Sequence, residues 1–167
     1  AKDSFKGRPF FRGRDWPNKL KELRIDKVLL LTPNNQNRKK ALKICSDYKF
    51  NLVSAIHPTS KIMDQAFIDP GVWINAGAII GYKSEIKSGI LVNTRAILEH
   101  HTILKSCCQL DPAVVVAGNV TIGECSHLHM GSLIANRINI GANAIVGAGS
   151  VVLSNVAANI KVAGAPA

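Results

Sequence analysis

Five histidines and four cysteines are the side chains of this 167-residue sequence best equipped for chemistry. His100 closes a run that begins at Asn93, and Gly118 follows it eighteen residues on, in Ala117-Gly118-Asn119-Val120. If eighteen residues return the chain onto itself, the imidazole lies beside a backbone N–H that no side chain screens. A neutral imidazole takes a proton from an attacking amine or hydroxyl, and the N–H stabilises the oxyanion of the tetrahedral intermediate. Those two groups are what acyl transfer from a thioester requires. No Ser or Cys stands beside a base at that place, so the acceptor would attack directly, with no covalent enzyme intermediate. His127 and His129 flank Leu128 and share one face of a strand. They read as a surface or subunit-interface pair, and no metal site is expected. Cys45, Cys107, Cys108 and Cys125 show neither a CxxC nor a metal-ligand spacing, and read as reduced thiols of a cytoplasmic protein. Cys107 and Cys125, also eighteen apart, read as fillers stacked at one corner.

The elements that must position these groups follow from a period of six. From Ile56 to Val152 every sixth residue is Ile, Leu or Val, seventeen times in succession. A short period sustained over so many units indicates a solenoid. The fifth residue of each hexad is small or branched, as in Ala66, Ala78, Ala96 and Thr102. It stands two before the next first residue, so both point inward on a short strand. The fourth is Gly or Asn in eight of the seventeen hexads, types that tolerate the left-handed backbone of a sharp corner. His100 is third in its hexad, at a corner and facing out of the core. His101 is fourth, so its backbone is expected to be left-handed.

Upstream, KVLLL (27–31) and NLVSAI (51–56) read as strands around a helix over 36–48. Asp15-Trp16-Pro17 opens an earlier helix, with Leu20 and Leu23 on one face. Residues 1–50 hold 14 Lys and Arg against 5 Asp and Glu, whereas residues 51–167 hold 7 against 6. The positive end can attract the phosphates of a nucleotide ligand. It lacks the interleaved aromatics or reading helix of a nucleic-acid surface, so no nucleic-acid partner is expected. Nor does any stretch approach the ~18 apolar residues of a membrane span.

The hexads resemble those of the hexapeptide-repeat acyltransferases, in which three hexads make one triangular coil. That resemblance implies a left-handed parallel β-helix over 56–167, behind a small α/β Rossmann-like domain at 1–55. GRPFFRGRDW, LLLTPNNQNRKKA and FNLVSAIHPTS are similar to the sialic acid O-acetyltransferases and nucleotide-amino-sugar N-acetyltransferases of bacterial glycan synthesis. That family opens with a strand and a Gly-rich turn that holds the donor nucleotide. No such motif occurs here, so the first domain is expected to be incomplete.

By family position His100 and Gly118 are implied to be catalytic, with Asn93, Glu99 and His101 at the acceptor sugar. Gln109, Gly118, Met130, Asn136 and Ala148 are implied to bind the co-substrate acetyl-CoA, in a groove between adjacent β-helices that runs along Gly118, Asn136 and Ser154. Two positions depart from the family: His101 replaces an acid, and Gln109 replaces a second histidine, though its amide can still donate a hydrogen bond. The implied activity is acetyl-CoA-dependent acetylation of an amino or hydroxyl group on a nucleotide sugar, by a homotrimer. The other reading is a non-catalytic β-helix subunit for assembly or regulation.

Overall fold

The structure, a computed structural model, describes residues 13–167 and, before them, the pairing of β1 (Ser4–Phe5) with β2 (Arg8–Pro9). Within the GRPFFRGRDW stretch, Gly7 and residues 10–12 lie outside the described residues. From residue 55 the chain forms eighteen two-residue strands, β5 (Ala55–Ile56) through β22 (Lys161–Val162), in three parallel sheets. The first face has seven strands, the second six (Lys61–Ile62 through Val151–Val152) and the third five (Phe67–Ile68 through Asn139–Ile140). Along most of the solenoid each strand pairs with the strand eighteen residues on: Ile97 with Val115, Leu91 with Gln109, Ile103 with Thr121. Successive faces meet at a first, a second and a third corner.

The core is the column of first and fifth hexad residues. Val92, Ala96, Leu98, Leu104, Leu110 and Val116 have no exposed surface. Each fully buried branched side chain contributes roughly 1.5–3 kcal/mol, and truncating one to Ala costs about 2–5 kcal/mol because the stack above and below holds the cavity open. All fifteen fourth residues from Gln65 to Gly149 have φ between +54° and +81°, and ten of them are not glycine. His101, at φ +56°, is one, as its hexad position predicts. The conformation costs a non-glycine residue roughly 1–2 kcal/mol. A hydrogen bond to the preceding coil offsets that cost, as from His101 N–H to the Tyr82 carbonyl at 2.8 Å.

The frame changes only near the end. Leu133 and Ile134 keep the eighteen-residue step to Val151 and Val152, but Ile145 pairs with Lys161 and Ile140 bridges Val156, both sixteen apart. The last second corner is therefore two residues short. Asn155, expected at a left-handed fourth position, instead accepts the Asn139 N–H through its side chain at 2.8 Å, and the next positive φ falls at Asn159 of the third corner, sixteen after Asn143. Ser154 thus falls outside the regular corner column.

The N-terminal unit is small. It comprises α1 (Trp16–Glu22), β3 (Lys27–Val28), α2 (Asn35–Asp47) and β4 (Asn51–Leu52), with β3 and β4 parallel. Asn34 caps α2 by accepting the Asn37 N–H at 2.9 Å. NLVSAI is not one strand: Asn51–Leu52 pairs with β3, whereas Ala55–Ile56 pairs with Trp73–Ile74. Ser54 marks the change of partner, its Oγ accepting the Val72 N–H at 3.1 Å.

Helix α2 lies along the third corner. Leu42 packs at Gly89, Arg38 donates to the carbonyls of Gly89 and Cys107, and Asn35 donates to those of Cys125 and Ser126. Gln36 reaches Asn143 at 2.6 Å, and Lys39 pairs with Glu124 at 2.6 Å. A helical turn rises 5.4 Å and strands stack about 4.8 Å apart, so one turn of α2 meets roughly one coil.

Candidate active site at the second corner

His100 sits at the second corner because its hexad places it third, just before the left-handed residue. Gly118 occupies the same corner one coil on. The imidazole lies directly over it: a Cβ added to Gly118 would come within 2.5 Å of His100 Cε1 and 2.6 Å of Nε2. Only glycine admits the ring there, and it does so for space, since Gly118 does not have a positive φ. Among the described residues the Gly118 N–H has no hydrogen-bond partner. Its peptide is oriented from inside: buried Thr102 donates its hydroxyl to the Ala117 carbonyl at 3.2 Å. In a trans peptide the N–H points opposite to the C=O, so pinning the carbonyl inward turns the Gly118 N–H outward. Sequence reasoning missed Thr102, although its inward fifth position was legible.

His100 Nδ1 is 3.1 Å from His101 Nδ1, with the rings edge to face. One proton fits between the two nitrogens. When His100 holds it, His101 accepts, and His100 Nε2, beside Gly118, carries a free lone pair. When His101 holds it, the roles reverse, so unlike a carboxylate His101 can either donate to or accept from His100, and it adds no negative charge. Glu99 and His100 line a cleft of about 470 Å³ together with Met63, Asp64, Gly81 and Tyr82. Gly81 is required beneath them, because a Cβ there would lie 2.7 Å from the His100 backbone nitrogen.

The remaining implied residues lie elsewhere in the same chain. Asn136 is exposed at the second corner, one coil beyond Gly118. Asn93, Met130 and Ala148 are at the first corner, and Gln109 is on the first face. The Asn93 side chain accepts from Asn75 at 2.9 Å and from the Thr94 N–H at 2.8 Å. Gln109 is buried and donates to Asp111 at 2.8 Å, leaving its carbonyl oxygen without a partner. Within one chain, then, the second-corner residues and the first-face residues do not meet.

Asp111 also accepts from His127 Nε2 at 2.9 Å and His129 Nδ1 at 3.2 Å. Burial lowers the pKa of His127, opposed by the Asp111 carboxylate. Asp111 was not singled out from the sequence, yet the eighteen-residue step places it directly below His129.

No protein-family model matches the chain, and no curated protein matches it; solved structures do. PerB from Caulobacter crescentus, solved in complex with CoA and GDP-perosamine, is 30% identical. The match covers 98% of this chain and 79% of that one, with a TM-score of 0.92. The acetyltransferase domain of PglB from Neisseria gonorrhoeae, in complex with acetyl coenzyme A, is 27% identical. It matches over 96% of this chain and 78% of its own, with a TM-score of 0.87. WeeI from Acinetobacter baumannii, at 18% identity and a TM-score of 0.74 over 98% of this chain and 79% of its own, shares the fold. The repeat, the α/β unit ahead of it and this likeness over nearly the whole chain agree: the chain belongs to the hexapeptide β-helix acetyltransferases of the nucleotide-sugar N-acetyltransferase type.

Proposed function

We propose that this protein transfers the acetyl group of acetyl-CoA to the amine of a nucleotide-linked amino sugar, with His100 as general base. The observation that carries the reading is the imidazole of His100 packed over Gly118, beside an N–H with no partner among the described residues. The acceptor amine attacks the thioester carbonyl, and the Gly118 N–H stabilises the oxyanion. His100 Nε2 takes the amine proton, the C–S bond breaks, and the proton passes to the departing thiolate. The direction of transfer and the acceptor class rest on PerB and PglB, whose structures hold CoA with GDP-perosamine and acetyl coenzyme A.

The working unit is a homotrimer. The second face carries Ile79, Ile97, Val115, Leu133 and Val151 outward in one column, an apolar stripe that a second copy would cover. A neighbour's Gln109 on the first face, with its Met130 and Ala148 at the first corner, would then complete the acetyl-CoA groove beside His100, Gly118 and Asn136. Asn93, Glu99 and His101 would border the sugar.

Turnover of a panel of nucleotide amino sugars with acetyl-CoA, followed by CoA release, tests the reading. Wild-type protein is expected to acetylate at least one amine. His100→Ala is expected to lose ~10²–10⁴ in rate while still binding acetyl-CoA. Binding without turnover on any sugar would remove the proposed acceptor class. Absence of acetyl-CoA binding by calorimetry would leave a non-catalytic module.

A further inference from the structure

We propose that Asp111, His127 and His129 form a binding site for a divalent transition-metal ion of the zinc type. One ligand atom from each lies within 4.8 Å of the others. Asp111 Oδ2 is 2.9 Å from His127 Nε2 and 3.2 Å from His129 Nδ1. Donors bound at 2.0–2.1 Å to a tetrahedral zinc ion stand roughly 3.3 Å apart, so small side-chain rotations admit the ion.

The backbone already holds the three donors in place. His127, on the strand His127–Leu128, and His129, just past its end, are two apart and share a face, with ring centroids 4.0 Å apart. Asp111 N–H donates to the Leu128 carbonyl at 2.9 Å, which registers the lower coil against the upper. Gln109 donates to Asp111 Oδ1 at 2.8 Å, leaving Oδ2 to face the imidazoles. A polar group that orients a ligating carboxylate in this way is the usual outer support of a metal site. The Asp111 side chain is 14% exposed and that of His129 39%, so the site is sheltered but open to an ion. Two imidazoles and one carboxylate favour zinc, cobalt, nickel or copper over magnesium or calcium, which take oxygen ligands. The fourth position would be filled by water.

The test uses the full chain, freed of metal with EDTA and titrated with Co(II) and then Zn(II). Wild type is expected to bind one Co(II) per chain with a tetrahedral visible spectrum that Zn(II) abolishes. Asp111→Asn and His129→Ala are each expected to weaken binding at least tenfold, and Gln109→Leu by about 10–100-fold. His101→Asn, which alters the other adjacent histidine pair, is expected to bind as wild type does. No saturable binding by wild type, or binding that both ligand variants leave unchanged, would overturn the proposal. Should a variant fail to fold, anomalous diffraction from zinc-soaked wild-type crystals decides. A peak among the three side chains supports the site, and its absence removes it.

Discussion

At the scale of single residues, contact between the His100 ring and the Gly118 backbone is what makes the corner chemical. Gly118→Ala tests that contact without straining the backbone, because φ there is already negative or extended. The new methyl would occupy the space of the imidazole, so kcat is expected to fall by about 10²-fold or more, with little change in Tm. Retention of wild-type kcat would show that the ring works elsewhere. Thr102→Val removes the hydroxyl that pins the Ala117 carbonyl and keeps the shape of the side chain. It is expected to lower kcat about tenfold and to leave the KM for acetyl-CoA near wild type, as a loss confined to the oxyanion would. The pairing of His100 with Gly118 was legible because it depends only on the eighteen-residue step. Thr102 was not, because its role is a hydrogen bond to a carbonyl, which any hydroxyl at a fifth position could make or omit.

Among the elements, α2 and the third corner depend on one another. Arg38 is 2% exposed and meets backbone carbonyls of Thr32, Gly89 and Cys107. Arg38→Met would leave those acceptors unpaired at about 1–3 kcal/mol each. The N-terminal unit is expected to become sensitive to limited proteolysis while the β-helix keeps its circular dichroism. Lys is not expected to rescue, since it lacks the planar fork that reaches several carbonyls together. The same corner holds three of the four thiols, Cys107, Cys108 and Cys125. Burial pushes the Cys107 thiol up to about 12 and raises that of Cys108 as well. A raised folded pKa means that the unfolded chain loses its proton first, from about pH 9. Stability is therefore fully present below pH 9 and declines as pH rises toward 12, which melting curves across that range would register. All four cysteines are buried, so a thiol reagent at pH 8 is expected to label none until the protein unfolds. Labelling of two thiols instead of four on unfolding would point to oxidation of the Cys107 and Cys125 pair.

For the whole molecule, the distribution of the implied residues over separate corners is the strongest reason to expect assembly. Ile97→Glu places a charge in the middle of the apolar stripe on the second face. It is expected to give a monomer by sedimentation and to remove activity while preserving the strand signal. Mixing makes a sharper test. His100→Ala and Ala148→Trp are each expected to be inactive as pure oligomers. Unfolded and refolded together, they should regain about a quarter of wild-type activity if each site joins two chains at random. No recovery would place a complete site within one chain.

The repeat alone settled the β-helix, because a buried column of Ile, Leu and Val every six residues admits no other regular backbone over that length. It also settled the left-handed backbone of His101, a consequence of position within the hexad, and with the three hexads per coil that the resemblance implies it placed His100 beside Gly118. Packing in three dimensions settled the remaining corners: Lys83, Arg95, Cys107 and Ala113 carry no local preference for positive φ, yet adopt it because the coil below supplies the hydrogen bond. Packing also fixed where the frame shortens after Val152, how α2 reads the third corner, and that the Asp111 carboxylate turns toward both imidazoles of His127 and His129. Those contacts depend on side-chain directions and on coils brought together by folding, and no period in the chain encodes them.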